Sequence, residues 1–108
     1  MPERTYAIHY DSGVKSHLAH MERRHHSLIR SAIEDQLRLE PDVATRNRKP
    51  LRPSPETPNM QRWELRCGPG NRFRVLYRVG VEDREVLVIA IGMKLGNRLI
   101  IGGEEMTR

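Results

Sequence analysis

The chain has 108 residues, enough for one modest core, and a formal net charge of +5 that comes from 16 arginines and only three lysines set against 14 acidic side chains. A single cysteine excludes an internal disulfide framework, and the longest apolar run, Val86 to Met93, is far shorter than the roughly 20 residues a membrane helix needs. With no signal-like segment at its start, the sequence predicts a soluble, cytoplasmic protein of one domain over residues 1–108 that engages no membrane.

Thr5-Tyr6-Ala7-Ile8-His9-Tyr10 is rich in β-formers and predicts a first strand ending near Asp11-Ser12-Gly13. Ser12 is the expected cap of the helix that follows. Val14, Leu18 and Met21 recur at helical spacing through Arg23, and Leu28, Ile29, Ala32, Ile33 and Leu37 do so again before Pro41. A turn at Arg24-His25-His26 makes these an antiparallel helical hairpin; without it they form one bent helix. Residues 1–40 carry six basic and six acidic side chains and are neutral overall.

The charge lies further along. Residues 41–78 hold nine basic and three acidic side chains, whereas residues 79–108 hold four and five, so the excess is a patch and not a general basic tint. Five of the seven prolines fall between Pro41 and Pro58, interleaved with Arg46, Arg48, Lys49 and Arg52. Proline lacks an amide donor and restricts its predecessor, so regular helix and central strand are excluded and a basic, substrate-facing loop is expected. Trp63, Leu65 and Cys67 then alternate with Glu64 and Arg66; after Gly68-Pro69-Gly70, Phe73, Val75, Tyr77 and Val79 alternate with Arg72, Arg74 and Arg78. Successive strand side chains point to opposite faces, so this is a hairpin with one apolar and one arginine-rich face. Arginine stays charged and offers a planar fork that fits phosphate, which favours a polyanion over a merely solvated face.

Gly80 to Glu85 is a charged turn, and Glu85 to Ile91 is apolar on both faces, as a strand covered on both sides would be. Gly96 to Gly103 reads as a loop with a short edge strand. The order is strand, helices, then strands. The expected fold is therefore α+β: an N-terminal strand, a two-helix hairpin, then a three- to four-stranded, mainly antiparallel twisted sheet with helices on one face and arginines on the other.

Other chemistries find little support. His17, His20, His25 and His26 have no completing cysteine or carboxylate, and Arg23 and Arg24 would repel a cation, so no metal and no cofactor is expected. Gly68-Pro69-Gly70 is too short to cradle a nucleotide's phosphates. Cys67 has no CxxC partner and reads as a small strand residue. Aromatic residues make up 5% of the chain, too few for a base-stacking platform, and no helix is basic enough to read a major groove.

Arg48-Lys49-Pro50-Leu51, Trp63-Glu64-Leu65-Arg66, Phe73-Arg74-Val75-Leu76-Tyr77-Arg78-Val79 and Val88-Ile89-Ala90-Ile91-Gly92-Met93-Lys94 follow one another in an order that resembles the RelE/ParE superfamily of bacterial type II toxins. The resemblance spans nearly the whole chain. It implies a toxin neutralised by a cognate antitoxin, in a toxin–antitoxin hetero-oligomer. RelE-like members cleave messenger RNA in the ribosomal A site; ParE-like members inhibit DNA gyrase. On the RelE-like reading Arg66 stabilises charge at the scissile phosphate. Lys49 and Arg48 position or activate the 2′-hydroxyl, and Lys94, where arginine is common, faces the leaving group or phosphate. Arg66, Lys49 and Lys94 are the expected catalytic residues, with Arg48, Arg72, Arg74 and Arg98 binding substrate. The C-terminal tyrosine that some RelE enzymes use as base is absent, Leu99, Ile100 and Ile101 standing in that stretch. The expected function is thus a metal-independent, ribosome-dependent endoribonuclease, with a gyrase inhibitor and a catalytically silent antitoxin- or nucleic-acid-binding domain as alternatives.

Overall fold

The computed structural model describes residues 5–53, 55, 56, 58 and 60–106. In chain order they form β1 (Ala7–Tyr10), α1 (Val14–Ala19), α2 (Arg23–Leu37), β2 (Arg48–Pro50), β3 (Trp63–Cys67), a 3₁₀ turn (Pro69–Asn71), β4 (Phe73–Gly80), β5 (Glu85–Leu95), β6 (Arg98–Ile101) and β7 (Glu104–Met106). The architecture is α+β, two helices with a seven-stranded, mainly antiparallel sheet in the order β2-β3-β4-β5-β6-β7. Strand β1 is the exception, pairing parallel with β5.

Ser12 does not cap α1. The cap position is Gly13, whose N–H is held by Asp11 Oδ2 at 3.1 Å. The helices separate at His20–Glu22, just before the expected break, and His26 marks the reason. Its Nε2 lies 2.8 Å from Leu18 O and 3.3 Å from Met21 O, so the ring donates into the turn that Met21 N also closes on Leu18 O at 2.9 Å. The predicted stripe of α2 places Ile29, Ile33 and Leu37 in the core and leaves Leu28 exposed at its margin.

Strand β5 organises the sheet. Along one edge it meets β4; along the other it meets β1 through Glu85–Val88 and then β6 through Gly92–Leu95. That second edge has a gap between the two partners. There Asp11 N, from the turn before α1, donates to Val88 O at 2.9 Å, and Ile91 N donates to His17 Nδ1 at 3.3 Å, so α1 supplies the acceptor that a strand would have supplied to Ile91.

The alternation expected of β3 and β4 holds: Trp63, Leu65, Cys67, Phe73, Val75 and Tyr77 all belong to the main core beneath the helices. In β5 the register shifts, since Leu76 pairs with Ala90 but Tyr77 with Val88, which leaves Ile89 as an extra residue. Val86 and Val88 before this bulge, and Ile91 and Met93 after it, all meet the helix-side core. The bulge therefore turns Ala90, Gly92 and Lys94 to the opposite, open face, where Ala90 packs with Leu76, Leu99 and Ile101 in a second, smaller cluster.

Two stretches differ from expectation. The proline-rich segment contains β2, a three-residue edge strand that tolerates Pro50 because it lies at the rim of the sheet. The segment after Lys94 is a pair of hairpins, β5–β6 and β6–β7, turning at Gly96-Asn97 and at Gly102-Gly103, where both glycines have φ above +60°.

Candidate nucleic-acid interface

Strand register decides which cations share a face. Lys49 stands opposite Glu64, and Arg66, two residues beyond Glu64 on the same face, stands opposite Arg74. Arg74 is opposite Gly92, and Lys94 lies two residues beyond Gly92. Lys49, Arg66, Arg74 and Lys94 thus occupy the face away from the helices, across four adjacent strands about 14 Å wide at 4.8 Å per step.

Glu64 is the centre of this group. Its side chain is 1% exposed, and Oε1 accepts from Arg74 Nη1 at 3.1 Å and from Arg66 Nε at 3.3 Å. Arg74 is itself buried, and its Nε donates to Asn71 O at 3.0 Å, so its guanidinium is committed to the sheet. Arg66 is different. One third of its side chain is exposed and only Nε is engaged, leaving the outer edge of its fork for a ligand. Lys49 is exposed, Lys94 is half-buried, and neither is ion-paired with another described residue. One carboxylate thus orients two guanidinium groups, and the cluster keeps a surplus of positive charge. Such a cluster can receive an anion.

The other expected site residues lie elsewhere. Arg48 faces the helices, buried opposite Leu65, and donates through Nη1 to Gln36 O at 2.6 Å and through Nε to Val43 O at 3.1 Å. It ties the end of α2 to the basic loop. Tyr77 secures the same loop by donating its hydroxyl to Pro41 O at 2.7 Å, and burial raises that phenol's pKa well above its ordinary value. Arg72 places its guanidinium 5.5 Å from the Phe73 ring centre. Arg98, on the helix-side face of β6, lies 3.9 Å from Glu105.

Sequence reasoning missed one group on the open face. His9 stands beside Leu87, in line with Arg78, and its Nε2 is 3.6 Å from Glu85 Oε1; with Gly80 they line a shallow hollow of 410 Å³. No signal in the sequence joins Tyr6-Ala7-Ile8-His9 to β5, because that pairing is parallel and non-local. The four histidines of the helical region have structural partners or ring contacts: Ile91 for His17, Ser16 O for His20, Phe73 for His25 and Leu18 O for His26. Among the described residues no group of three or more His, Cys, Asp or Glu is placed to hold a metal ion, and no helix is long and apolar enough to cross a membrane.

Comparison with protein-family models and with curated proteins returned no match.

Proposed function

We propose that this protein is a RelE-like toxin that cleaves messenger RNA on the ribosome, and that Lys49, Arg66 and Lys94 contact the scissile phosphate. The observation that carries this reading is the shared face of those three side chains, with Arg66 held by Glu64 and its outer fork open. RNA brings its own nucleophile. The 2′-oxygen attacks the adjacent phosphorus and the bond to the 5′-oxygen breaks, leaving a 2′,3′-cyclic phosphate and a 5′-hydroxyl that takes up the proton. The protein's task is to align these atoms and stabilise the charge of the five-coordinate phosphate. Arg66 meets the non-bridging oxygens; Lys49 and Lys94, on either side, meet the nucleophile and the leaving group. A cognate antitoxin with an acidic segment would neutralise the same face.

One observation favours the gyrase-inhibitor reading. Tyr6 and Tyr77 are in the core and Tyr10 lies on the helix side, so none of the three tyrosines stands in the cationic group as a proton acceptor. Toeprinting on translating ribosomes separates the two. Parent protein should give A-site cleavage, Arg66→Ala should slow it about 10²–10³-fold, and Lys94→Met should slow cleavage more than it weakens ribosome binding. Absence of toeprints from the parent, with inhibition of supercoiling by purified gyrase, would replace this reading with the other.

A further inference from the structure

The helix side of the sheet holds a second feature with no part in the cationic face. Between the end of β1, α1 and α2 lies a groove of 520 Å³, within the size range of small-molecule sites. Its apolar lining is aliphatic, Val14 and Leu18 from α1, Ile29 and Ile33 from α2, and Ile91 from the gap in the edge of β5, with His26 and Ser12 beside them. Its mouth is polar. Exposed Lys15 on α1, Arg30 on α2 and Tyr10 at the end of β1 line it, as does Asp11, whose Oδ2 holds the Gly13 amide. Neither Lys15 nor Arg30 is ion-paired with another described residue.

Lys15 and Arg30 against Asp11, with nearby Glu34 paired to Arg38, leave a single positive charge over the slot. We propose that this groove binds a small amphipathic monocarboxylate, its chain along Leu18 over the buried floor of Ile29, Ile33 and Ile91 and its head near Lys15, Arg30 and the Tyr10 hydroxyl. An aliphatic chain suits a slot whose apolar lining is branched aliphatic, beside His26 and Ser12. A singly charged head fits better than a phosphate dianion, since Asp11 shares the mouth. Partial burial and the charge of Glu34 raise the Tyr10 phenol above its ordinary pKa, which keeps the hydroxyl protonated as a donor.

Octanoate is the probe, with octanol and octylamine as controls of equal chain length, titrated into the full chain and followed by methyl NMR. Octanoate should shift the methyls of Val14, Ile29, Ile33 and Ile91 along saturating curves with a common dissociation constant. Octanol should bind about fivefold more weakly and octylamine more weakly still. The exposed pair Lys15→Met and Arg30→Met, combined, should bring octanoate down to the level of octanol, while Arg78→Met on the far face should not. Spectra of the unliganded variants verify folding independently of binding. Equal binding of octanoate and octylamine would overturn the proposal, as would shifts that do not saturate or a Lys15→Met/Arg30→Met variant with parental affinity.

Discussion

At the scale of single residues, Glu64 and Arg74 show how a charged pair can be both anchor and template. Arg74 is 6% exposed, so without Glu64 its guanidinium would have no counter-charge in a place water hardly reaches. Removing one partner of a buried pair is costly, because the survivor stays buried and unneutralised. Glu64→Gln keeps the shape and one acceptor oxygen yet deletes the charge; it should lower unfolding stability in urea by about 3 kcal/mol. Adding Arg74→Met to that variant should recover part of the loss, and a double variant as unstable as the sum of its parts would disprove the pairing. Cys67 gives a second test. Burial lifts its thiol from the ordinary 9.0 to about 11, opposed by nearby Arg74. A raised thiol pKa favours the protonated fold, so this contribution is intact below pH 9 and disappears as pH climbs toward 11. Urea midpoints should fall across that window, and by less in Cys67→Ala; an unchanged slope in that variant would remove Cys67 from the account.

At the scale of elements, the edge of β5 is completed by a helix. The Ile91 amide lies where β1 has ended and β6 has not begun, and an orphaned buried N–H costs about 1–3 kcal/mol. His17→Leu keeps an apolar side chain on α1 but removes the acceptor. It should destabilise the protein by about 1–2 kcal/mol and speed hydrogen exchange at Ile91 ahead of its neighbours in β4. Exchange at Ile91 that stays as slow as in the parent would mean that His17 does not protect it. The bulge at Ile89 matters more for the cationic face. Had β5 run without it, residues of even number would have kept to the helix side and Lys94 would point at the core. One extra residue places Lys94 on the face of Arg66. Because the run from Val86 to Ile91 is apolar on both sides, no alternation existed in the sequence from which that change of phase could be read.

At the scale of the whole molecule, local periodicity was legible and side-of-sheet assignment only partly so. The helices, β1, β3, β4 and the α+β plan follow from spacing and alternation, and the open face does carry Arg66 and Arg74. Between Gly96 and Gly103 the expected short strand is β6, whereas β7 escapes a periodicity reading because Glu104-Glu105-Met106 carries no apolar alternation. What composition cannot reveal is which arginines are consumed internally: Arg48 under α2 and Arg74 on Glu64 look in sequence like Arg66. The free positive charge of the open face is therefore smaller than the patch from 41 to 78 suggests, and this has a measurable consequence. If Lys49, Arg66 and Lys94, converging on the scissile phosphate, release the counterions of that phosphate and its two neighbours on single-stranded RNA, log affinity should fall with log salt with a slope of about −2. Raising salt from 50 to 200 mM would then weaken binding about twentyfold, as read by fluorescence anisotropy of a labelled oligonucleotide. Lys94→Met should reduce the slope by about 0.7, while Arg98→Ala should leave it unchanged although both remove one cation from neighbouring strands. The difference follows from the register alone, since Lys94 shares the open face with Arg66 and Arg98 stands on the helix side next to Glu105. Equal slopes for the two variants would show that RNA responds to net charge and not to this face.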